Sequence, residues 1–247
     1  HQKPNFLVMD LKNPPNTTPR PIKFSDQLNS RLELPEDSIY LFDKPAGISS
    51  FGAVYQVRAK LKQVHQKKIK VGHCGTLDPI ATGLLILVSG KFTKKAGEFS
   101  KMDKVYTATA KLGQSSNTYD SEGHLELVST KRPTPSELKT ALFKFSGEIE
   151  QTPPAFSAIK IDGKRAYKLA REGTEANDEE LRLKLKPRQI TIHSIKLISY
   201  RYPTVKFKVD VTSGTYIRSI INDLGNELQT GAHMTALRRE SIGPYTI

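Results

Sequence analysis

Residues 72–90, GHCGTLDPIATGLLILVSG, place a glycine-rich loop directly before a segment that is apolar throughout its centre. Glycines in such a loop allow positive φ or the close approach of another backbone. Pro79 fixes its own φ and keeps Asp78 out of the helical region, so the carboxylate is held on an extended turn. Residues 84–88 are typical of a strand buried on both faces. The pattern predicts one carboxylate presented by a shaped loop on a core strand.

By spacing alone, the Asp78-Pro79 pair has two interpretations, a catalytic carboxylate and an ordinary turn. An Asp-Pro pair is most often a turn former whose carboxylate bonds to nearby amides. A nucleotide-binding P-loop is excluded because Gly83 is not followed at the right distance by Gly-Lys-Ser/Thr. The adjacent His73 and Cys74 do not indicate a thiol protease, because neighbours in sequence usually point apart and the signatures of such cysteines are missing.

The net charge indicates a polyanionic partner. The chain of 247 residues carries a formal charge of +13, and such an excess favours binding to nucleic acid. Residues 1–37 hold five basic and five acidic residues, so the whole excess lies in residues 38–247. An anionic membrane surface is the competing explanation, but the sequence has no lipidation signal and no long apolar span.

Composition divides the chain at residue 37. Residues 1–37 contain six of the fifteen prolines and no sustained hydrophobic period, which predicts a poorly ordered, extended arm with a short ordered piece near residues 6–9. Residues 38–247 are predicted to form the folded domain. The single cysteine suits a reducing compartment, and no Cys/His cluster has zinc-ligand spacing, so we expect no metal. Without a signal peptide, a cytoplasmic location is expected and an organelle is left open.

The hydrophobic periods predict strands and helices without a βαβ rhythm, which indicates an α+β fold. Strands are expected at residues 38–43, 84–88, 105–112, 156–161 and 205–211, and a strand with a register break near residues 190–197. Helices are expected after a Ser49 or Ser50 cap, from a capping box at residues 134–137 to residue 145, over residues 164–172, and after residue 214. The first of these helices is predicted to bury Val54, Val57, Leu61 and Val64.

The outer face of the first helix and the loop after it are basic. They carry six cations that lead into the glycine-rich loop, namely Arg58, Lys60, Lys62, Lys67, Lys68 and Lys70. Such a run is usually a solvated face, but a surface that tracks phosphates is equally compatible with it.

The segment GHCGTLDPIATGLL resembles the signature motif of the TruB-type pseudouridine synthases, which isomerise a uridine in the T-loop of tRNA. Five further segments resemble the family in the family's order: LFDKPAGISS at 41–50, DKVYTATAKLG at 103–113, PPAFSAIKIDGKRAYKLAREG at 153–173, SGTYIRSIINDLG at 213–225 and ALRRESIGPY at 236–245. The resemblance covers residues 38–247. It implies the pseudouridine synthase fold, a central and largely antiparallel mixed sheet with flanking helices and a cleft across it.

The resemblance also implies roles for individual residues. Asp78 matches the catalytic carboxylate, and Arg218 matches the arginine that keeps this carboxylate ionised in a dry cleft, where desolvation raises a carboxyl pKa. The positions matching the substrate pocket are His73, Tyr106, Tyr216 and Leu237. Contacts to the RNA backbone are assigned to Lys44, Lys94 and Arg238, with a purely structural role as the alternative, and to Lys67 and Lys68 of the basic run, with a solvated face as the alternative.

The expected reaction needs no cofactor, because it breaks and remakes one bond to the sugar without redox chemistry or a group carrier. The expected partner is the T arm of tRNA, bound by a monomer without a membrane, guide RNA or obligate protein partner. The resemblance ends with the catalytic domain, so the small C-terminal PUA domain of many relatives is expected to be absent. Two alternatives stay open: the same chemistry on another T-arm-like RNA, and a non-catalytic RNA-binding or RNA-folding module.

Overall fold

A computed structural model describes residues 34–157 and 185–247, together with the backbone of four short strands outside these ranges. The chain forms two compact units. Residues 1–106 and 237–247 form the first unit, and residues 107–236 form the second. The prediction of an arm over residues 1–37 falls mostly outside the described residues. The backbone of residues 5–8, close to the predicted ordered piece at 6–9, is a strand.

The first unit is built around a mixed sheet with the strand order β2-β1-β3-β5-β14. Strand β5 lies antiparallel to β3 and β4 and parallel to β14. The elements are β1 (Asn5–Val8), β2 (Ile22–Lys23), β3 (Ser38–Lys44), α1 (Ser50–His65), β4 (Val71–His73), β5 (Thr82–Ser89), a 3-10 helix (Gly90–Lys95), α2 (Ala96–Ser100), the start of β6 (Lys104–Leu112), the end of β14 (Ala232–Ile242) and β15 (Tyr245–Thr246).

Strand β5 is the buried centre of this unit, as its apolar run predicts. All its residues after Thr82 are buried, and residues 84–88 have no exposed surface. Its side chains at 84, 86 and 88 pack with Ile39, Leu41 and Cys74 in one hydrophobic cluster. The predicted strand buried on both faces is therefore confirmed.

Helix α1 begins at the predicted cap and buries three of its four predicted residues. The Ser49 hydroxyl accepts a hydrogen bond from the Gly52 amide at 3.0 Å, which satisfies one of the free amides of the first turn. Residues 54, 57 and 61 are buried, but the prediction is wrong for Val64, which is 45% exposed. In the last turn the inward position is occupied by His65, four residues after Leu61. Its Nε2 lies 2.7 Å from the Leu34 carbonyl oxygen.

The second unit contains a sheet with the strand order β14-β6-β13-β12-β9. Strand β12 has register shifts after residues 192 and 197, so the predicted register break is confirmed. The elements are the end of β6, β7 (Gln114–Ser116), β8 (Leu125–Leu127), α3 (Pro135–Phe143), β9 (Gly147–Gln151), β10 (Lys160–Ile161), β11 (Lys164–Arg165), β12 (Arg188–Arg201), β13 (Thr204–Val211), α4 (Ile217–Glu227) and the start of β14.

The local predictions for the second unit hold except around residues 156–172. The capping box is present, with the Glu137 amide donating to Thr134 Oγ1 and the Glu137 carboxylate accepting from the Thr134 amide. Helix α3 ends at 143 rather than 145. The predicted helix over 164–172 is wrong at its start, because residues 164–165 form a strand paired with β10, and its remainder lies outside the described residues. Of the strand predicted over 156–161, only residues 160–161 are described as strand.

Helices and largely antiparallel strands in this arrangement confirm the predicted α+β class. Within the described part of the chain, no helix has the length and apolarity needed to span a bilayer.

The contact of Gly83 with strand β14 makes a stability prediction. Gly83 has φ of 99°, and a Cβ built on it would lie 2.2 Å from the backbone oxygen of Arg239. We expect Gly83→Ala to lower the free energy of unfolding by about 3 kcal/mol or more. Alanine is strained at this positive φ, and its Cβ would force strand β14 away from β5. Urea denaturation followed by circular dichroism measures this change.

Gly72→Ala is the matched control, because a Cβ at Gly72 would meet nothing within 4 Å. It should change the free energy of unfolding by about 0.5 kcal/mol or less. Equal effects of the two substitutions would contradict the close approach at Gly83.

Candidate active site

Asp78 lies in the loop of residues 74–81, here called the Asp78 loop, which joins β4 to β5. The Ser50 hydroxyl holds the residue before Asp78 by two hydrogen bonds. It accepts from the Leu77 amide at 2.8 Å and donates to the Leu77 carbonyl at 2.9 Å. Since Ser50 is the first residue of α1 and Leu77 is buried, the loop is fixed to the start of that helix.

Lys44 holds the other side of Asp78. Its side chain is fully buried, and its ammonium donates to the carbonyls of Pro45 at 2.9 Å, Ile48 at 2.8 Å and Pro79 at 3.2 Å. Of the two roles predicted for Lys44, these contacts favour the structural one, because its ammonium already donates to three carbonyls. In this position Lys44 joins the turn after β3 to the Asp78 loop.

A third anchor, Arg239, was not among the residues predicted from sequence. Its guanidinium is 1% exposed, and it donates to the carbonyls of Leu84 at 2.7 Å, Gly75 at 3.2 Å and Thr76 at 3.4 Å. It therefore joins the loop to the first part of β5. The period of β14 is the signal that could have found it, because Leu237 and Arg239 alternate with an outward Arg238.

These three anchors act on backbone groups on both sides of Asp78. Asp78 itself is half-buried, and its carbonyl accepts from the Ala81 amide at 3.0 Å, which closes the turn. The backbone that carries the Asp78 carboxylate is therefore held in a defined position before any ligand binds, which is an arrangement that favours catalysis by a reacting group.

His73 and Cys74 lie at the start of this loop and carry no charge at neutral pH. Burial, and then the positive charge of Arg239, hold the pKa of His73 below its ordinary value. Its Nδ1 is buried and has no hydrogen-bond partner among the described residues. Burial raises the pKa of the Cys74 thiol to about 12, so this thiol is not a nucleophile.

Lys104 is a second buried cation that was not predicted from sequence. It is 5% exposed, and its ammonium donates to the carbonyls of Ser100, at 2.9 Å, and Met102. Burial, followed by the charge of Arg239, lowers its pKa to about 8. A Cβ on Gly75 would lie within 3.8 Å of both Arg239 Nη1 and Lys104 Cε. The underside of the Asp78 loop is therefore strongly positive.

The two remaining predicted pocket residues of the first unit are almost fully buried. Tyr106 is 7% exposed and shares the buried face of β6 with Lys104. Leu237 is 8% exposed, and its carbonyl accepts from Thr82 Oγ1 at 3.3 Å.

Arg218 belongs to the second unit, where a buried acid holds it. The Arg218 side chain lies in the first turn of α4 and is 6% exposed. Its Nη1 lies 3.2 Å from Asp120 Oδ2, and its guanidinium also donates to the carbonyls of Thr118 at 3.0 Å and Phe156 at 3.1 Å. Asp120 is itself buried and was missed, because in NTYDSEG it has only the signature of a turn.

Tyr216 precedes α4, and its backbone is fixed from both sides. The Gln151 side chain accepts from the Tyr216 amide at 2.8 Å and donates to the Tyr216 carbonyl at 3.0 Å. This holds the entry to α4, where the next two residues are buried.

The other predicted RNA contacts are at the surface of the first unit. Lys67, Lys68 and Lys94 are exposed, and Lys67 pairs with Glu36 at 2.6 Å. Arg238 forms two hydrogen bonds of 3.0 Å with the Asp43 carboxylate, which raise the pKa of Arg238. This pairing favours the structural alternative for Arg238. Over residues 34–157 and 185–247, no group of three or more His, Cys, Asp or Glu is arranged to hold a metal ion.

The neighbouring arginines 238 and 239 should differ sharply in their effect on stability. We expect Arg239→Met to lower the free energy of unfolding by about 2–4 kcal/mol, because buried loop carbonyls lose their donors. Arg238→Met removes only a partly exposed ion pair and should cost about 1 kcal/mol or less. Urea denaturation of both variants checks this, and equal losses would rule out the anchoring role of Arg239.

The lowered pKa of Lys104 predicts a pH dependence of stability. Between pH 8 and 10.5 the unfolded chain binds a proton at this lysine that the folded protein does not, so the free energy of unfolding rises with pH. The gain is complete above pH 10.5 and lost below about pH 8. Relative to Lys104→Met, the wild type should gain about 1 kcal/mol per pH unit in this window, measured by urea denaturation at pH 7.5, 8.5 and 9.5. Parallel curves for the two proteins would contradict the shift.

Two family profiles match the chain. Residues 61–217 match the profile described as TruB family pseudouridylate synthase (N terminal domain), and residues 218–247 match tRNA pseudouridylate synthase B C-terminal domain. The second profile covers most of α4 together with β14, which the sequence analysis placed in the catalytic domain.

Named bacterial proteins and solved structures are similar to most of the chain. The tRNA pseudouridine synthase B of Bacteroides fragilis is 42% identical over 214 residues, covering 86% of this chain and 89% of the relative. That of Chloroherpeton thalassium is 40% identical over 223 residues, covering 90% and 89%. A chain of the crystal structure of a Cbf5-Nop10-Gar1 complex matches with a TM-score of 0.60 and 28% identity, over 83% of this chain. The present chain spans about half of that chain, 48%.

The two profiles together cover residues 61–247, which include the Asp78 loop, Arg218 and Arg239. The fold predicted from the resemblance, α+β of the pseudouridine synthase type, is confirmed. The chain belongs to the TruB family of pseudouridylate synthases.

Proposed function

We propose that this protein isomerises uridine to pseudouridine at position 55 in the T-loop of tRNA, with Asp78 as the reacting carboxylate. The observation that carries the proposal is the Asp78 loop, whose family motif is held by Ser50, Lys44 and Arg239 on both sides of the carboxylate. The relatives named tRNA pseudouridine synthase B support the choice of tRNA.

The reaction breaks the bond from N1 of the base to the sugar and forms a bond from C5 to the same sugar carbon. C5 loses a proton and N1 gains one, so the product is an isomer of the substrate and no oxidant or group donor is consumed. One carboxylate can assist as a nucleophile or as a base. A rigid loop keeps this carboxylate in place while the base turns.

The resemblance to the family assigns Arg218 the role of the cation that keeps the reacting carboxylate ionised. Its support within its own unit is the buried Asp120, which fixes the guanidinium together with two backbone carbonyls. A guanidinium stays protonated in buried surroundings, so it supplies a permanent positive charge.

The substrate uridine must leave its stack before its bond to the sugar can be reached. Tyr106 is assigned the ring on which an extruded base stacks, and the resemblance to the family assigns substrate contacts to Leu237 and Tyr216. His73 has an uncharged ring with an unsatisfied, buried Nδ1. A neutral imidazole has one donor and one acceptor, which suits hydrogen bonds to an extruded nucleotide rather than a phosphate contact.

The first alternative is the same chemistry on another T-arm-like RNA, and the basic first unit is compatible with it. The second alternative is a non-catalytic RNA-binding module. Against it, a module that only binds a polyanion has no need for a carboxylate at the centre of three buried anchors. The protein is expected to act as a cytoplasmic monomer, without a guide RNA or an obligate protein partner.

Asp78→Asn tests the catalytic role. We expect it to abolish pseudouridine formation on both full-length tRNA and a T-arm stem-loop, because the amide cannot serve as nucleophile or base. RNA affinity should hold or rise, since a negative charge is removed from a polyanion site. Single-turnover assays and fluorescence anisotropy measure the two quantities.

Glu98→Gln is the control, because it removes an exposed carboxylate of the same unit, and it should leave activity unchanged. If wild type and Asp78→Asn both bind the RNAs but neither forms pseudouridine, the non-catalytic alternative or another RNA target takes the place of this proposal.

A further inference from the structure

Helix α1 presents two large aromatic rings to solvent. Phe51 is 63% exposed and Tyr55 is 66% exposed, although aromatic side chains of this size normally bury most of their surface. They are four residues apart and therefore neighbours on one face of the helix. Arg58 and Lys62 continue the same line by one turn each. We call these four residues the α1 stripe.

The aromatic and basic residues of the α1 stripe are physically coupled. The Arg58 guanidinium lies 5.8 Å from the centroid of the Phe51 ring, within reach of a cation–π interaction. Its Nη2 also donates to the Val71 carbonyl at 3.1 Å. The guanidinium is thus held beside the ring, while most of the Phe51 surface stays open to solvent.

The positive charge around the α1 stripe favours a polyanionic partner. Residues 44–77 contain seven Lys or Arg and no Asp or Glu, and α1 itself has no acid anywhere. Single exposed apolar residues occur on most proteins and need no explanation, and Phe143, 77% exposed in α3, is such a case. Paired rings among cations are the combination that binds unpaired nucleotides, because rings stack on bases and cations pair with phosphates.

The α1 stripe begins beside the Asp78 loop. Ser50, which holds Leu77 by two hydrogen bonds, is the residue directly before Phe51. An RNA strand bound at the Asp78 loop therefore needs only a few nucleotides to reach the stripe, since a stacked nucleotide advances about 3.4 Å and a helical turn about 5.4 Å.

We propose that the α1 stripe is an RNA-binding surface on which unpaired bases of the substrate RNA stack against Phe51 and Tyr55 while Arg58 and Lys62 pair with phosphates. The proposal rests on the proposed function only in that the bound molecule is the enzyme's RNA. It adds a contact outside the pocket of the reacting uridine.

A single tryptophan tests the contact directly, because the chain has no tryptophan of its own. Phe51→Trp should lose much of its fluorescence when tRNA saturates the protein, since a stacked base quenches an indole. The matched control is Phe143→Trp, a similarly exposed position on α3, whose fluorescence should not change. Binding of labelled tRNA measured by anisotropy, with no change at the Phe51→Trp fluorophore, would overturn the proposal.

Removing the rings tests their contribution to affinity. Phe51→Ser combined with Tyr55→Ser should raise the Kd for tRNA by about tenfold or more for each base that stacks, whereas Phe143→Ser should not change it. Circular dichroism shows whether each variant is folded. We expect all of them to fold, because the substituted positions are exposed. An unchanged Kd would refute the proposal. Loss of a dimer in sedimentation with an unchanged Kd would assign the rings to a contact between copies of the chain instead.

Both measurements are made in the Asp78→Asn background as well, where no reaction takes place. RNA binding through the α1 stripe is then detected whether or not the protein forms pseudouridine. Failure of the stripe and failure of the proposed reaction therefore give different results.

Discussion

The Asp78 loop depends on the buried guanidinium of Arg239. Three carbonyls from the loop and from β5 converge on one cation, and a buried cation is tolerated only where such acceptors replace its hydration. The approach of β14 that delivers this arginine requires a residue without a side chain at position 83. Gly83 and Arg239 therefore depend on each other: without a glycine at position 83, strand β14 cannot place Arg239 against the loop.

The buried arginines 218 and 239 are stabilised in different ways. Arg218 has a buried carboxylate partner, Asp120, so that its unit holds a neutral pair. Among the described residues Arg239 bonds only to backbone carbonyls, and its charge adds to the effect of burial in lowering the pKa of His73 and Lys104. A region that stays positive beneath the loop favours an anion above it, as a reacting carboxylate and an RNA substrate both require.

Sequence periodicity was sufficient to predict the elements that form the core of each unit. The apolar run of β5, the alternation in β13 and the stripe of α4 are all found where they were expected. The misses are buried charges and short segments. Lys44 and Arg239 look like surface cations in sequence, because only the fold shows which carbonyls they meet. Val64 was misplaced because in the last helical turn the half-buried His65 takes the inward position, a choice that periodicity alone cannot make.

The single cysteine, Cys74, offers a way to measure opening of the Asp78 loop. Cys74 is wholly buried in the cluster under β5, at the first position of the Asp78 loop, and its high pKa keeps it as the unreactive thiol. A thiol reagent can reach it only when the loop lifts away from the strands beneath it. The rate at which Cys74 is labelled therefore reports how often the Asp78 loop opens. It gives a measure of the motion of the reacting group without any added probe site.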